Sequence, residues 1–161
     1  MTDFTKILQL LSDHNVEFII IGGAAAIVHG SSRLTQDLDV VYRRTRENIT
    51  RLSNALEKQK PYLRGAPPGL PFHWSEDTIR IGLNFTLQTD LGDLDLLGEV
   101  TGGGKYEDLL DHTFEIEVFG VHCLCLDLET LIHVKRAAGR PKDLEAISEL
   151  EAIREEEQNE E

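Results

Sequence analysis

The apolar run Val16–Ile21 (VEFIII) stops at Gly22-Gly23, and about fifteen residues later Asp37-Leu38-Asp39 opens a second apolar run. A nearly continuous apolar run of this length suits a strand buried on both faces. The glycine pair ends it. Alanine-rich Ala24–His29 favours a short helix, and Gly30 closes that helix. Ser31–Gln36 reads as a loop becoming extended, and Leu38–Tyr42 as a second strand. A buried strand, a glycine junction, a short helix and an acidic strand together predict an α/β chain with its chemistry at the junction.

The flanking segments fit this plan. Phe4, Ile7, Leu8 and Leu11 recur at helical spacing, and Asn15 is a plausible stop. Thr45–Lys60 reads as an amphipathic helix with Ile49, Leu52, Ala55 and Leu56 on one face. Residues 61–78 carry four prolines and form a long irregular segment of the kind used for lids and binding loops. Ile79–Gln88 alternates as a half-buried strand, Thr89–Gly92 turns, and Asp93–Leu97 pairs back as a hairpin. A helical piece is expected at Tyr106–Leu110. A second hairpin follows, Thr113–Val118 with Val121–Leu126 about Phe119-Gly120. Asp127 caps a helix over Leu128–Ala138. Gly139 stops it, and Pro141 starts a last helix through Leu144, Ile147, Leu150 and Ile153. There is no internal repeat. Residues 1–154 read as one domain and 155–161 as an acidic tail.

Composition narrows the classes of function. The 161 residues are 40% hydrophobic and 28% charged, enough to bury a core. No apolar run approaches the roughly 20 residues of a membrane span. The amino-terminal stretch reads as a helix rather than a secretory signal. Cys123 and Cys125 read as reduced thiols of a cytoplasmic protein. The net charge is -13, with seven glutamates against Arg154 from Glu149 onward. That acidity argues against broad nonspecific nucleic-acid binding.

Asp37 and Asp39, two apart on a strand, point the same way. Two like charges that close need a cation, and hard divalent ions prefer oxygen ligands; a solvated acidic face is the plainer alternative. Arg33 and Thr35 continue the same phase, so Arg33 can contact phosphate or pair with an aspartate. Gly22-Gly23 allows close backbone approach at a helix start, which favours an anion, or is simply a tight turn. Asp95 in GDLDLL supplies a third carboxylate on another strand. It sits in the strand body, whereas Asp93 lies by the turn. If the two strands are neighbours, Asp95 joins Asp37 and Asp39. Trp74 in the proline-rich segment can stack on a base or anchor the loop, and Arg64 in the same segment can contact the acceptor. His29 is expected to pack or cap.

These residues carry a resemblance. The stretches IGGAAAIVHGSSRLTQDLDVVY, NFTLQTDLGDLDLLGEV and LIHVKRAAGRPKDLEAISELE resemble the nucleotidyltransferase fold of the DNA polymerase beta superfamily, and more closely the small bacterial nucleotidyltransferases related to AbiEii-type toxins. The resemblance implies a mixed β-sheet with helices packed on one face. It also implies an enzyme that moves a nucleoside monophosphate from a nucleoside triphosphate such as ATP to a hydroxyl. The acceptor would be a protein or RNA, in a toxin–antitoxin or phage-defence setting with a cognate partner protein. Gly22 and Gly23 would cradle the β/γ-phosphates. Asp37, Asp39 and Asp95 would hold two Mg²⁺ ions, with Mn²⁺ as a substitute, and Asp95 would help deprotonate the acceptor. Lys135 and Arg140 would reach the triphosphate or the acceptor, although cations at a helix C-terminus need no ligand. Many superfamily members have serine after the second glycine; here Ala24 removes that hydroxyl contact. A degenerate member that binds nucleotide or protein, and an enzyme that modifies an antibiotic, are the alternatives.

Overall fold

A computed structural model describes residues 2–118 and 120–160. The chain opens with α1 (Phe4–Asp13), capped by the Asp3 carboxylate, which accepts the Lys6 amide at 3.0 Å. Asn15 turns the chain at a positive φ of 56°. The strand that follows, β1 (Phe18–Ile21), is buried at all four positions, as its unbroken apolar sequence requires. The short helix α2 (Gly22–Val28) starts at the first glycine rather than at Ala24. The acidic strand β2 (Asp37–Tyr42) alternates half-exposed Asp37 and Asp39 with fully buried Leu38 and Val40.

The helix α3 (Arg46–Leu56) is capped by Thr45 and continues as a 3-10 turn at Glu57–Gln59, ending at Lys60 with φ 52°. Its first turn carries Asn48, fully buried. The Asn48 carbonyl accepts the Glu17 amide at 2.7 Å, and its NH₂ donates to the carbonyls of Glu17 at 3.0 Å and Arg43 at 2.8 Å. One side chain thus ties the entry to β1 to the exit from β2.

The segment after Pro61 departs from the sequence expectation. A two-residue strand, β3 (Tyr62–Leu63), pairs at the sheet edge. The alternation over 79–88 predicts one strand, but the chain forms α4 (Glu76–Ile81) and only then β4 (Asn84–Thr89). Local chemistry decides it. Ser75 Oγ accepts the Thr78 amide at 3.1 Å, Glu76 and Asp77 lie in the first turn, where acidic groups are favoured, and the Gly82 amide donates to Thr78 O. Ile79 is buried while Ile81 is 79% exposed, so their spacing marks no strand face.

The expected hairpin is present, with β4 antiparallel to β5 (Gly92–Leu97). A short helix α5 (Tyr106–Leu109) leads to β6 (Thr113–Val118) and β7 (Val121–Leu126), paired as expected; Phe119 of their turn lies outside the described residues. The helix α6 (Leu128–Ala138) begins at Asp127, whose carboxylate accepts the Thr130 amide at 2.8 Å, and ends at Gly139 with φ 66°. The last helix, α7 (Pro141–Asn159), buries Ala146, Ile147 and Leu150 but leaves Leu144 exposed, and it continues through the acidic residues.

The strands form one mixed sheet in the order β3-β4-β5-β2-β1-β7-β6. The core gathers Ile7, Leu8 and Leu11 of α1, Leu52 and Leu56 of α3, and the inward residues of the central strands. One face of β2 and β5 is closed by this core; the other carries the carboxylates and is flanked by α2, α6 and α7. Among the described residues no helix is long and apolar enough to cross a membrane. Cys123 and Cys125 are free thiols, pushed up to about 11 and about 12 by burial.

Candidate active site

The pairing of β2 with β5 builds the centre. The two strands run parallel with Asp39 opposite Asp95 and Asp37 opposite Asp93, so residues 56 positions apart in sequence become neighbours on one face. Asp37, Asp39 and Asp95 each present a carboxylate oxygen, all within 4.8 Å of one another. Asp95, rather than Asp93, completes the set.

Such crowding has an electrostatic consequence. The Asp39 carboxyl is pushed up to about 8 by burial first, then by its hydrogen bond to Asp95, then by the charges of Asp95 and Asp37; only Lys135 opposes this. With no cation bound, this crowding favours the protonated form of Asp39, which hydrogen-bonds Asp95. Three convergent carboxylates are the oxygen donor set a hard divalent cation prefers, and such an ion reverses the local pKa logic by favouring the ionised form. The residues fit the metal role.

The glycines are required by packing. Gly22 has φ +64°, and a Cβ there would lie 2.1 Å from Asp39 Oδ2. At Gly23 a Cβ would lie 2.7 Å from Thr35 Oγ1. Thr35 in turn donates to the Asp37 carbonyl at 3.1 Å. The start of α2 therefore sits directly on the acidic strand, which puts its backbone amides beside the carboxylates. Ala24 is buried.

Arg64 has the larger role that its sequence position hid. It follows β3, and its amide donates to Thr86 O at 2.9 Å. Its guanidinium reaches Asp95 Oδ1 at 2.8 Å, Asp93 Oδ1 at 3.4 Å and Asp37 Oδ2 at 3.8 Å, and also donates to Leu87 O at 2.7 Å. It is the fixed cation of the acidic face. Replacing Arg64 by alanine is expected to lower metal-free stability by about 2 kcal/mol, reduced from the fully buried case because the side chain is a quarter exposed. Thermal melts with and without Mg²⁺ check this: the loss should shrink when Mg²⁺ is present. An equal loss in both conditions would contradict a charge-balancing role.

The remaining candidates divide. Lys135, on α6, lines the site; burial pulls its ammonium down, partly offset by Asp143 and Asp39. Arg140 also lines it but is bound to Asp143, with Nε at 2.6 Å and Nη2 at 3.2 Å. Arg33 does not pair with an aspartate: its guanidinium meets Glu145 of α7 at 3.3 Å on the surface. Beside it, Ser31 and Ser32 bond Glu149 at 2.5 and 3.0 Å, tethering the loop before β2 to α7. His29 packs, with Nε2 at 2.8 Å from Leu126 O and its ring tilted on Phe114. Trp74 anchors its loop by donating to Ser53 O at 3.0 Å and standing edge-on to Phe85.

Two clefts meet at the carboxylates, sharing Gly22, Asp37 and Asp39 with Lys135, Arg140, Lys142 and Asp143. One, about 380 Å³, extends over Gly23, Ser31, Arg33 and Thr35. The other, about 480 Å³, extends over Asp95, Asn84, Thr86 and Glu99.

No family model matches the chain, and no curated protein matches it in sequence. Solved structures do. The lincomycin-bound lincosamide antibiotic adenylyltransferase LnuA superposes with a TM-score of 0.63 at 17% identity, covering 94% of this chain and 98% of that one. ANT(2")-Ia in complex with adenylyl-2"-tobramycin gives 0.54 at 16% identity, over 96% and 94%. An antigenic nucleotidyltransferase-like protein from Paracoccidioides brasiliensis gives 0.56 at 17% identity, over 91% and 72%. The chain has the nucleotidyltransferase fold.

Proposed function

We propose that this protein is a divalent-metal-dependent nucleotidyltransferase that moves a nucleoside monophosphate from a nucleoside triphosphate to a hydroxyl. The observation that carries this reading is the convergence of Asp37, Asp39 and Asp95 within 4.8 Å, next to the start of α2. In this reading the triphosphate occupies the cleft over Gly23 and Arg33, where backbone amides at a helix start and the Lys135, Arg140 and Lys142 side chains offer positive potential. The acceptor enters from the Asp95 side. Its hydroxyl oxygen forms the new bond to the α-phosphorus, pyrophosphate departs with the electron pair of the broken bond, and the hydroxyl proton passes to Asp95. Asp37, Asp39 and Asp95 would hold the divalent ions, and these would supply charge stabilisation to the attacking and leaving oxygens.

The alternative of a degenerate binding module loses ground because all three carboxylates are present and aligned. Membership of a toxin–antitoxin pair and a protein or RNA acceptor are carried only by the sequence resemblance. The ligands bound to two structural neighbours, lincomycin in one and an adenylylated tobramycin in the other, favour the small-molecule alternative.

The test is incubation with Mg²⁺ and each α-labelled nucleoside triphosphate together with cell lysate. Label transfer is expected that EDTA abolishes and Asp39→Ala eliminates. Absence of transfer, with nucleotide binding unchanged in Asp39→Ala, would overturn the reading.

A further inference from the structure

Four carboxylates share one face of the β2–β5 pair, because Asp37 stands opposite Asp93 and Asp39 opposite Asp95. Three of them, Asp37, Asp39 and Asp95, converge on one place, each offering a single oxygen. Arg64 makes this division. Its Nη2 donates to Leu87 O at 2.7 Å and to Asp95 Oδ1 at 2.8 Å. Its approaches to Asp93 at 3.4 Å and Asp37 at 3.8 Å are longer ion contacts. The main chain of β4 fixes the residue at both ends. The Arg64 amide donates to Thr86 O and the guanidinium to Leu87 O, and β4 is paired with β5 in the register Thr86 to Asp95. Arg64 therefore meets Asp95 at one chosen oxygen.

A carboxylate binds a cation through one oxygen or through both. Ca²⁺ gathers about six to eight oxygens and often takes both from one carboxylate, whereas Mg²⁺ needs about six at shorter range, uses one or two carboxylates and keeps several waters. Asp95 can give Oδ1 to an ion only by sharing it with Arg64, whose charge repels the ion. The oxygen that Arg64 does not hold needs no such sharing. The Arg64 and Asp95 side chains are only 24% and 21% exposed, so solvent screens the repulsion in part.

We infer that Arg64 is a specificity residue for the divalent ion: by holding Asp95 Oδ1 it restricts Asp95 to one metal-binding oxygen, which favours Mg²⁺ over Ca²⁺. That the ion binds at Asp37, Asp39 and Asp95 rests on the metal-dependent reading, but the preference is measurable without nucleotide or transfer.

Calorimetric titration of the full chain with Mg²⁺ alone and with Ca²⁺ alone tests it, in the parent, Arg64→Gln and Arg64→Lys. Loss of the positive charge should tighten binding of both ions in Arg64→Gln, and that of Ca²⁺ by about tenfold more than that of Mg²⁺. Arg64→Lys keeps the charge but not the planar fork that bonds Leu87 O and Asp95 Oδ1 together. It should shift the preference toward Ca²⁺ by about threefold, and it keeps the test open if Arg64→Gln does not fold. An equal gain for both ions in Arg64→Gln, a preference unchanged in every folded variant, or binding of neither ion to the parent overturns the inference. The transfer reading fails separately. A preference set by Arg64 with no label transfer to any acceptor supports the inference and sinks the enzyme. Asp39-dependent label transfer with an ion preference that ignores Arg64 does the reverse.

Discussion

Asp39→Asn is expected to reduce nucleotidyl transfer by about 10³-fold or more while making the metal-free protein more stable. The two effects share one cause. Asp39 is half-buried between Asp95 and Asp37, and its carboxyl is raised to about 8, against an ordinary value near 4 in the unfolded chain. Between those values the folded protein keeps a proton that the unfolded chain has released. Stability is therefore fully present below about pH 4, falls as pH rises, and levels off above about pH 8. Asparagine never ionises and can still hydrogen-bond Asp95. In EDTA at pH 8 the variant should gain about 2–4 kcal/mol over the parent and lose the downward slope with pH. Added Mg²⁺ should stabilise the parent strongly and the variant little. Denaturant unfolding at several pH values, with EDTA and with Mg²⁺, measures all of this. A variant less stable than the parent in EDTA at pH 8 would show that Asp39 is not strained by its neighbours.

The carboxylate pair, the Asp95 strand and both hairpins were legible because each has a local signature: period-two spacing, or a turn flanked by β-formers. Their assembly was only conditional in the sequence: Asp95 joins the pair if its strand neighbours β2, and the β2–β5 register meets that condition. Arg64 was not legible in its role. Its partners Asp37, Asp93 and Asp95 are distant in sequence, and the two-residue strand that aims it is too short to carry a period. The helix at Glu76–Ile81 was legible in principle from Ser75 and the acidic pair after it, but the alternation running from Ile79 masked that cap. The placing of Lys135 and Arg140 beside the carboxylates depends on where α6 and α7 settle. That is a matter of long-range packing through Leu131, Ile147 and Leu150, and no spacing along the chain encodes it.

Gly22→Ala is expected to cost about 2–4 kcal/mol in stability and to lower transfer by about 10²-fold or more, although it adds one methyl group outside the carboxylate set. Two costs combine. An alanine at φ +64° sits in the left-handed region, at a cost of about 1–2 kcal/mol. The larger cost is steric. The new Cβ would fall 2.1 Å from Asp39 Oδ2 and 2.9 Å from its Cβ and Cγ. Asp39 can yield only by leaving Asp95, or by pushing β2 away from the start of α2, and either movement opens the site. Gly65→Ala separates the two costs: Gly65 has φ +79° with no atom within 4 Å of the added Cβ, so it carries the backbone strain alone. If Gly22→Ala is no worse than Gly65→Ala in stability and transfer, close packing of the junction against Asp39 is not what the glycine serves. If it is far worse, and Gly22→Ala also loses the Mg²⁺-dependent gain in melting temperature, the glycine's role is to let the α2 amides and the metal-binding carboxylate occupy one place.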